Sequence, residues 1–484
     1  MTAPNPVIPA PPADLPGTLG ALRAAGHRYR TVKQELRDNL LARMRAGADR
    51  FPGIVGYDDT VLPEVERALL AGHDMVLLGE RGQGKTRLIR SLVGLLDEWT
   101  PVIAGSALNE HPLHPITPAS RALVAEAGDD LPVGWLHRSM RYGEKLATPD
   151  TSVGDLIGDV DPVRLAQGRS LGDPETIHFG LVPRTNRGIF AVNELPDLAE
   201  RIQVALLNVL EERDIQVRGY QLRLPLDLFL VASANPEDYT NRGRIITPLK
   251  DRFGAEVRTH YPVDLELELA LIRQEADLVA EVPEHVLEVL ARFARAVRES
   301  PSVDPRSGVS ARFAIAAAET VAAAALRRAG LLAAADTPDQ VRPEAPVARV
   351  GDAVSVTLTL RGKVEFESGE EGREVEILGH LLRTATAETF RARLGGLDLS
   401  GFTGLVAEGT VIETGELVSS AELLRQVGTV PGLAKALDRL GMGDAPTPEE
   451  AAAGVEFVLE GLHLTRRLGK DVTDSGRTRY GGRG

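Results

Sequence analysis

The sequence predicts an α/β protein with a parallel sheet flanked by helices, followed by an all-helical segment and a mixed, mostly helical C-terminal region. Two observations predict the sheet. Over residues 49–262, short β-branched runs alternate with helical patterns, as in proteins built on a mostly parallel sheet. In the same region, one glycine-rich loop stands between an apolar run and a helical pattern, which is the setting of a phosphate-binding loop.

The candidate strands of this core are short apolar or β-branched runs: Met75–Leu78, Pro101–Ala104, Ile189–Val192, Leu228–Val231 and Ala255–Arg258. Along the whole chain we predict six segments, one of which contains this core. Each is recognised by its proline content or by the spacing of its apolar residues. They are a flexible Pro-rich tail (1–17), an N-terminal helical segment (18–48), the α/β nucleotide-binding domain (49–262), a helical lid (263–335), a linker (336–350) and a C-terminal domain of unknown role (351–484). Within the last segment, an alternating run at 354–360 predicts a strand or hairpin, and the final residues 473–484 are expected to be disordered.

Composition excludes several classes of protein. The chain has no cysteine, so disulfides, Cys-ligated zinc, iron–sulfur clusters and thiol catalysis are excluded. The net charge of −14 argues against a general nucleic-acid binder. No apolar stretch approaches the length of a membrane span, and the N-terminus lacks the basic start and apolar core of a signal peptide. We therefore expect a cytoplasmic protein without membrane or nucleic-acid partners.

The sharpest signal is a phosphate loop. The residues Gly79, Glu80, Arg81, Gly82, Gln83, Gly84, Lys85 and Thr86 fit the pattern G-x-x-x-x-G-K-[ST], and Arg87 follows directly. Glycines let successive backbone N–H groups point at phosphate oxygens, and the start of the following helix adds positive potential. Lys85 is predicted to reach the β- and γ-phosphates of ATP, and the Thr86 hydroxyl is predicted to coordinate Mg²⁺.

Hydrolysis also needs a carboxylate that orients water, and a polar group near the metal. The apolar run Gly188–Val192 ends in Asn193 and Glu194, and we call Gly188–Glu194 the hydrolytic strand. Glu194 is predicted to be the base that polarises the attacking water. Asn193 offers an amide oxygen to the metal where P-loop motors usually carry an aspartate. The missing charge weakens the expected Mg²⁺ affinity unless a nearby carboxylate such as Asp197 compensates.

Polar residues after the next two strands predict sensing roles. Asn235 follows the run Leu228–Val231 closely and could hold the attacking water or contact the γ-phosphate. Arg252 lies near the end of the core, where it could reach a neighbouring subunit's nucleotide; a local salt bridge is the alternative. Arg242 and Arg244 could contact the same neighbour or simply be solvated.

A second cation is predicted to bind nucleotide from the helical segment. Arg312 lies in the first turn of a predicted helix, where the helix dipole disfavours a cation, and this position suggests an anionic partner such as phosphate. Arg306 is a rival for the same role.

Taken together, these features resemble an AAA+ ATPase, in which the phosphate loop, hydrolytic strand, asparagine sensor, arginine finger and helical lid with a second sensor follow in this order. More narrowly, the chain resembles the branch of the magnesium chelatase I subunit and the MoxR-type ATPases. Three stretches carry this resemblance: a segment like the one that wraps adenine (Phe51–Gly56, with Val55 and Gly56), an insert-like stretch (155–161, then 180–183 and 187–188), and a hairpin-like stretch (214–218).

The resemblance covers about 50–330 and implies further properties. It implies Mg²⁺-dependent ATP hydrolysis in a homo-oligomeric ring, expected to be a hexamer, with nucleotide between subunits. It also implies chaperone-like remodelling of, or metal loading into, a client, often with a von Willebrand A domain protein. We further expect residues 351–484 to recognise that partner. Two alternatives stay open: a genuine magnesium chelatase ATPase subunit, and a nucleotide-gated scaffold with weak hydrolysis, which Asn193 motivates.

Overall fold

The computed structural model describes residues 8–160, 177–211, 215–217, 220–222, 224–236, 244–304, 308–334, 344–443, 445–473 and 477–481. The chain forms two compact units, Met1–His260 and Tyr261–Gly484. Each unit has its own set of helices and strands. Every predicted site residue except Arg312 and its rival Arg306 belongs to the first unit.

The first unit alternates helices and strands. Its helices are α1 (Leu19–Ala24), α2 (Val32–Ala46), α3 (Val61–Ala71), α4 (Lys85–Ser91), α5 (Pro118–Ala127), α6 (Val153–Leu156), α7 (Leu181–Arg184), α8 (Glu200–Glu211) and α9 (Thr247–Arg252). Its strands are β1 (Met75–Leu78), β2 (Trp99–Ile103), β3 (Val133–His137), β4 (Tyr142–Leu146), β5 (Gly158–Val160), β6 (Ile177–Phe179), β7 (Gly188–Asn193), β8 (Ile215–Val217), β9 (Tyr220–Leu222), β10 (Leu228–Ala234) and β11 (Ala255–Arg258). Short 3-10 helices lie at Leu92–Leu95, Gly128–Asp130, Arg138–Arg141 and Leu195–Asp197.

A five-stranded parallel sheet in the order β11-β1-β10-β7-β4 forms the centre of the first unit. The register pairs Leu78 with Ala234 on one side and with Arg258 on the other. Because all strands run the same way, their carboxyl ends meet at one edge of the sheet, where ligands bind in open α/β folds. The predicted α/β fold with a parallel sheet is confirmed.

One predicted strand is present but lies outside this sheet. The run at Pro101–Ala104 belongs to β2, which pairs with β3 in a separate antiparallel ribbon. The fifth strand of the sheet is β4, which pairs with β7. Its sequence escaped notice because Glu144 and Lys145 interrupt any apolar run, as an edge strand allows.

The sheet separates two hydrophobic cores. Successive residues of β7 point to opposite faces, so that Phe190 packs in one core while Ile189 packs in the other. The N-terminal helices belong to this unit: Leu36 and Leu40 of α2 are buried in the core that holds Ile189. Helix α2 begins at a capping box formed by Thr31 and Gln34 and ends at a left-handed glycine, Gly47.

The end of the predicted tail contacts the folded unit. The indole N–H of Trp135 donates to the Pro16 carbonyl at 2.9 Å, and the Val133 N–H donates to the Gly17 carbonyl at 3.0 Å. Two antiparallel pairs are also present: β5 with β6 in the insert-like stretch, and β8 with β9 at the predicted hairpin. Asp161, Asp214 and Arg218 of these stretches lie outside the described residues.

The second unit is mostly helical. Its helices are α10 (Leu265–Glu275), α11 (Glu284–Glu299), α12 (Ala311–Ala334), α13 (Val354–Thr359), α14 (Glu374–Leu394), α15 (Ser400–Ala407), α16 (Ser420–Val427), α17 (Leu433–Arg439) and α18 (Pro448–Leu464), with short 3-10 helices at Val350–Ala353 and Arg361–Lys363. A three-stranded antiparallel sheet of β12 (Ile412–Thr414), β14 (Thr478–Gly481) and β13 (Gly469–Val472) completes it.

A single hydrophobic core runs through the second unit. It joins residues of the predicted lid, such as Phe293 and Phe313, with Phe402 and Phe457 of the predicted C-terminal domain. Described residues of the predicted linker are part of this core, since Ala348 is buried there. The stretch 336–350 therefore does not separate two cores.

Two predictions for the C-terminal segment are wrong. The alternating run at 354–360 forms helix α13, because its valines and leucines also satisfy helical spacing: Val356 and Leu360, four apart, are buried. The final residues are expected to be disordered, yet 478–481 form β14. Tyr480 anchors this strand, since its side chain is 2% exposed and its hydroxyl donates to Glu460 at 2.5 Å. Among the described residues, no helix is long and apolar enough to span a membrane.

Candidate nucleotide-binding site

The phosphate loop joins β1 to α4 at the carboxyl edge of the parallel sheet. Gly82 and Gly84 both have left-handed backbones, with φ of 75° and 76°, which lets the loop curl back over the helix start. The Gly79 N–H donates to the Ala234 carbonyl at 3.1 Å, so the loop begins hydrogen-bonded to β10. Thr86 is half-buried in the first turn of α4 and Glu80 is half-buried within the loop, while Arg81 is exposed.

Side chains outside the phosphate loop also contact it and hold it in place. A Cβ atom on Gly79 would lie 2.0 Å from the Thr259 hydroxyl, which donates to Gln83 Oε1 at 2.7 Å. A larger residue at position 79 would therefore force the Thr259 and Gln83 side chains to move. The Tyr57 hydroxyl hydrogen-bonds the Gln83 carbonyl and lies 3.0 Å from the His260 carbonyl. Burial raises the pKa of Tyr57 to about 12, so this hydroxyl keeps its proton at neutral pH.

Lys85 brings the loop and the sensor asparagine together. Its side chain is buried, and its ammonium donates to the carbonyls of Gly79 and Glu80 and, at 2.9 Å, to Asn235 Oδ1. Asn235 is buried directly after β10. The two residues that the sequence assigns to phosphate binding and phosphate sensing are therefore in direct contact.

Asn193 and Glu194 lie at the same edge of the sheet. Asn193 Oδ1 accepts a hydrogen bond from the Ser233 hydroxyl at 3.1 Å, and the Glu194 N–H lies 3.3 Å from the same hydroxyl. Glu194 is half-buried and has a left-handed backbone, with φ of 57°. Such a conformation is uncommon for a residue with a side chain and is found disproportionately at functional sites.

The structure adds Glu144, a residue that the sequence analysis missed. Asn193 Nδ2 donates to Glu144 Oε1 at 2.6 Å. Arg90 of α4 makes a two-point contact with the same carboxylate, at 2.9 and 3.0 Å, and the Tyr142 hydroxyl donates to it at 3.0 Å. Partial burial opposes ionisation, but the hydrogen bonds from Arg90 and Tyr142 prevail and hold the pKa of Glu144 below its ordinary value. Asp197, the compensating carboxylate suggested by sequence, lies in the 3-10 helix after Glu194, and the carboxylate that binds Asn193 is Glu144.

No sequence signal points to Glu144. It occupies a strand that the apolar pattern does not reveal, and nothing in its neighbours forms a motif. Only the pairing of β4 with β7 places it beside Asn193.

The adenine-wrapping segment predicted from sequence lies close to the loop. Arg87 Nε donates to the Gly53 carbonyl at 3.0 Å, which ties the stretch containing Val55 and Gly56 to α4. Gly56 has a left-handed backbone, with φ of 79°. A cleft of about 390 Å³ borders the loop, and residues that line it include Gly79, Gln83, Pro236, Lys250, Arg258 and Thr259.

Of the predicted arginine residues that the structure describes, Arg252 and Arg244 belong to the first unit and Arg312 to the second. Arg252 is about half exposed at the end of α9, and it forms an ion pair with Glu211 of α8, so the local salt bridge considered above is present. Arg244 is exposed, whereas Arg242 and Arg306 lie outside the described residues. Arg312 is exposed at the second position of α12, in the second unit.

The side chains at the sheet edge fit a magnesium ion held together with a nucleotide. Mg²⁺ prefers oxygen ligands and usually takes only one or two from the protein, the rest being phosphate oxygens and water. The Thr86 hydroxyl, the Asn193 amide oxygen and the Glu194 carboxylate offer such atoms. Within the described residues, no group of three or more His, Asp or Glu side chains could hold a metal ion.

Comparison with known proteins identifies sequences similar to about half of the chain. The magnesium-chelatase subunit ChlI of Nostoc sp. is 27% identical over 239 residues, which cover 48% of this chain and 60% of that protein. The chloroplastic subunit ChlI of Oryza sativa subsp. japonica is 30% identical over 233 residues, covering 47% of this chain and 52% of that protein. The chain thus spans between half and three fifths of the length of these relatives. No family model matches the chain.

Solved structures also align with this chain. The BchI–BchD complex of magnesium chelatase aligns with a TM-score of 0.35 and 23% identity, covering 68% of this chain and 98% of that one. NtrX from Brucella abortus aligns with a TM-score of 0.38 and 15% identity, covering 75% of this chain and 69% of that one. The parallel sheet and the phosphate loop agree with the similarity to ChlI, and the chain has a P-loop α/β fold that resembles an AAA+ ATPase of the magnesium chelatase I type.

Proposed function

We propose that this chain binds ATP with Mg²⁺ and hydrolyses it as an AAA+ motor. The observation that carries the proposal is the 2.9 Å contact between Lys85 Nζ and Asn235 Oδ1, which joins the phosphate loop to the tip of the neighbouring strand. A buried ammonium and a buried amide at the carboxyl edge of a parallel sheet form a site suited to a phosphate chain.

The residues take distinct roles in this proposal. The loop from Gly79 to Thr86 holds the phosphates by its backbone N–H groups, and Lys85 contributes its charge. The Thr86 hydroxyl and the Asn193 oxygen hold Mg²⁺, which neutralises charge on the phosphates when bound. Glu194 accepts a proton from the attacking water, and Asn235 positions that water or the γ-phosphate.

Two arginines complete the proposed site. Arg252 would act in trans, reaching the nucleotide of a neighbouring subunit in a homo-oligomeric ring, a hexamer by analogy with the branch. Its exposure supports this, and its ion pair with Glu211 would hold it within its own subunit until a neighbour binds. Arg312 would act as the second sensor. An arginine supplied to the transition state raises turnover about 10³- to 10⁵-fold in related phosphoryl transfers.

The resemblance to the magnesium chelatase I and MoxR-type branch suggests what ATP hydrolysis would drive. The motor would remodel a partner or load metal into it, together with a von Willebrand A domain protein or another client. We propose that residues of 351–484 recognise this partner. Because these residues share one core with the rest of the second unit, deleting them would expose that core, so exposed single residues are the appropriate targets for variants.

The test is ATP turnover measured against protein concentration, with and without Mg²⁺. Per-subunit turnover in the parent should rise with concentration, because each site needs a neighbour. Glu194→Gln should bind ATP but lose about 10²- to 10⁴-fold in turnover, and Lys85→Ala should lose binding. Glu200→Gln removes an exposed carboxylate nearby and should match the parent. A Glu194→Gln protein that hydrolyses ATP normally would refute the assigned base.

A second candidate is a nucleotide-gated scaffold that binds ATP and assembles but hydrolyses poorly. Asn193 favours it, because the strand lacks the negative charge that strengthens Mg²⁺ binding. Assembly driven by ATP in the parent, without measurable turnover, would support the scaffold over the motor.

A narrower alternative is an ATPase subunit of a genuine magnesium chelatase. The similarity to ChlI subunits favours it. Stimulation of magnesium insertion into a porphyrin by the purified chain, in the presence of the remaining chelatase subunits, would support it.

A further inference from the structure

The amide of Asn193 is held in one orientation by two neighbours. Its nitrogen donates to Glu144 Oε1 at 2.6 Å, and its oxygen accepts from the Ser233 hydroxyl at 3.1 Å. An amide that rotated by half a turn would place its oxygen against the Glu144 carboxylate, which has no proton to donate. Glu144 therefore determines which atom of Asn193 faces Ser233 and the carboxyl edge of β10.

Strand pairing explains why Glu144 can do this. Strands β4 and β7 are parallel, and Leu146 is the register partner of Asn193. Glu144 lies two residues before Leu146, so it stands on the same face of the sheet as Asn193 and within reach of it. Asn193 is 7% exposed, so bulk water does not compete strongly for its nitrogen.

Glu144 is also fixed from the phosphate-loop helix. Arg90 contacts both of its oxygens, and the Tyr142 hydroxyl contacts Oε2. With the bond from Asn193, the carboxylate accepts four hydrogen bonds, which is about its full capacity. A saturated carboxylate is suited to orienting its neighbour and not to binding the metal itself.

We propose that Glu144 is a positioning residue that lets asparagine replace aspartate on the hydrolytic strand. It acts through Asn193, whose oxygen it presents toward Mg²⁺ and nucleotide; this rests on the proposed function. An aspartate needs no such orientation, because its two oxygens are equivalent. The chain thus pairs an asparagine on β7 with an orienting glutamate on β4.

The pairing predicts a reversal in the effect of one substitution. In the parent, Asn193→Asp places two carboxylates 2.6 Å apart and should weaken Mg²⁺-dependent binding through repulsion. In a Glu144→Gln background the same change should help, because the amide introduced at position 144 can donate to the new carboxylate. The effect of Asn193→Asp therefore changes sign with the residue at position 144.

The experiment measures the affinity of a non-hydrolysable ATP analogue by calorimetry, with Mg²⁺ and with EDTA. Glu144→Gln should reduce the tightening caused by Mg²⁺ by about 10- to 100-fold, the range for partners that orient metal ligands, and leave the EDTA affinity unchanged. The double variant Glu144→Gln/Asn193→Asp should recover most of the tightening. Glu126→Gln, which removes an exposed carboxylate of the same unit, should match the parent.

Two results would overturn the inference: full Mg²⁺ tightening in Glu144→Gln, or a loss that Asn193→Asp does not restore. The second result would mean that Glu144 matters only because it holds Arg90 in place, since the double variant also lacks the Glu144 carboxylate. Thermal unfolding of each variant separates these from a failure to fold, and the isosteric glutamine limits that risk. If the parent does not bind the analogue, or if Lys85→Ala leaves binding intact, the proposed function itself fails.

Discussion

Lys85 Nζ and Asn235 Oδ1 are 2.9 Å apart although 150 positions separate the residues in the chain. The contact spans two adjacent strands, since Lys85 begins the helix after β1 and Asn235 directly follows β10. In the proposed function, a phosphate that binds Lys85 would lie next to Asn235, so that phosphate binding and phosphate sensing would depend on the same pair of side chains.

The first prediction concerns that pair. Asn235→Ala should reduce the maximal ATP turnover by about 100-fold, in the range for removal of one positioned polar group. The Michaelis constant should change by much less, because the loop and Lys85 still hold the phosphates. Steady-state kinetics over a range of ATP concentrations measures both. Equal turnover in parent and variant would remove Asn235 from the mechanism.

The second prediction separates action in trans from action in cis. Arg252→Ala and Glu194→Gln should each be inactive alone. Mixed in equal amounts they should regain activity, because a site can then combine Glu194 from one subunit with Arg252 from its neighbour. Turnover of the mixture against each variant alone is the measurement. No recovery in rings that demonstrably contain both variants would mean that Arg252 serves its own subunit.

The second prediction extends to Glu211, the ion-pair partner of Arg252. Glu211→Gln removes its ion pair on an exposed surface, so stability should change by less than about 1 kcal/mol. Freed from this pair, Arg252 should reach the neighbour more readily, and the protein concentration needed for half-maximal turnover should fall. A rise in that concentration would show that the ion pair itself supports assembly.

The third prediction concerns a buried ion pair in the first unit. Both Arg141 and Glu35 are essentially inaccessible, and the guanidinium makes two 2.7 Å bonds to the carboxylate. Glu35→Gln leaves an incompletely compensated buried cation and should lower the free energy of unfolding by about 3–5 kcal/mol. Denaturant unfolding measures it. The double variant Glu35→Leu/Arg141→Met is the control, and it should lose less than the single variant.

The fourth prediction is a pH dependence of the second unit. Burial, followed by the nearby Arg393 charge, lowers the pKa of His285 from 6.5 to about 3. Between these values the unfolded chain binds a proton that the folded chain excludes, so stability falls as pH falls, by about 1.4 kcal/mol per pH unit. His285→Leu should flatten this slope, while the exposed His380→Gln should not. An unchanged slope in His285→Leu would assign the effect elsewhere.

The fifth prediction follows from the shared core of the second unit. A chain ending at Glu344 loses Ala348, Phe402 and Phe457, all fully buried, and so uncovers Phe293 and Phe313. We expect residues 261–344 to lose cooperative unfolding and to become sensitive to proteases. Limited proteolysis with mass spectrometry would detect this. A protease-resistant fragment ending near 334 would show that the lid folds alone.

Much of the site was readable from the sequence because its signals are local. A phosphate loop is a run of consecutive residues with a strand before it and a helix after it, so Gly79, Lys85 and Thr86 could be assigned directly. Asn193, Glu194 and Asn235 follow apolar strands closely, and parallel strands bring such ends to one edge. The structure shows that these residues lie at the same edge of the sheet, and the roles assigned to them remain predictions.

Other features depend on partners distant in the chain. An edge strand tolerates charge, so the sequence of β4 did not reveal it, and Glu144 was missed with it. The run at 354–360 satisfies both helical and strand spacing, and only packing decides between them. Disorder was expected at the chain end because polar and glycine residues surround Tyr480, whose buried contact with Glu460 outweighs them.

By itself, the sequence determined the phosphate loop, the parallel α/β core and the unusual asparagine on the hydrolytic strand, because each follows from residues adjacent in the chain. Only the packing of distant elements established which carboxylate binds that asparagine, and that one hydrophobic core runs through the second unit. Hydrogen bonds such as the one from Asn193 to Glu144, and a core that joins Phe293 to Phe457, depend on which elements pack together, and no local pattern encodes that choice.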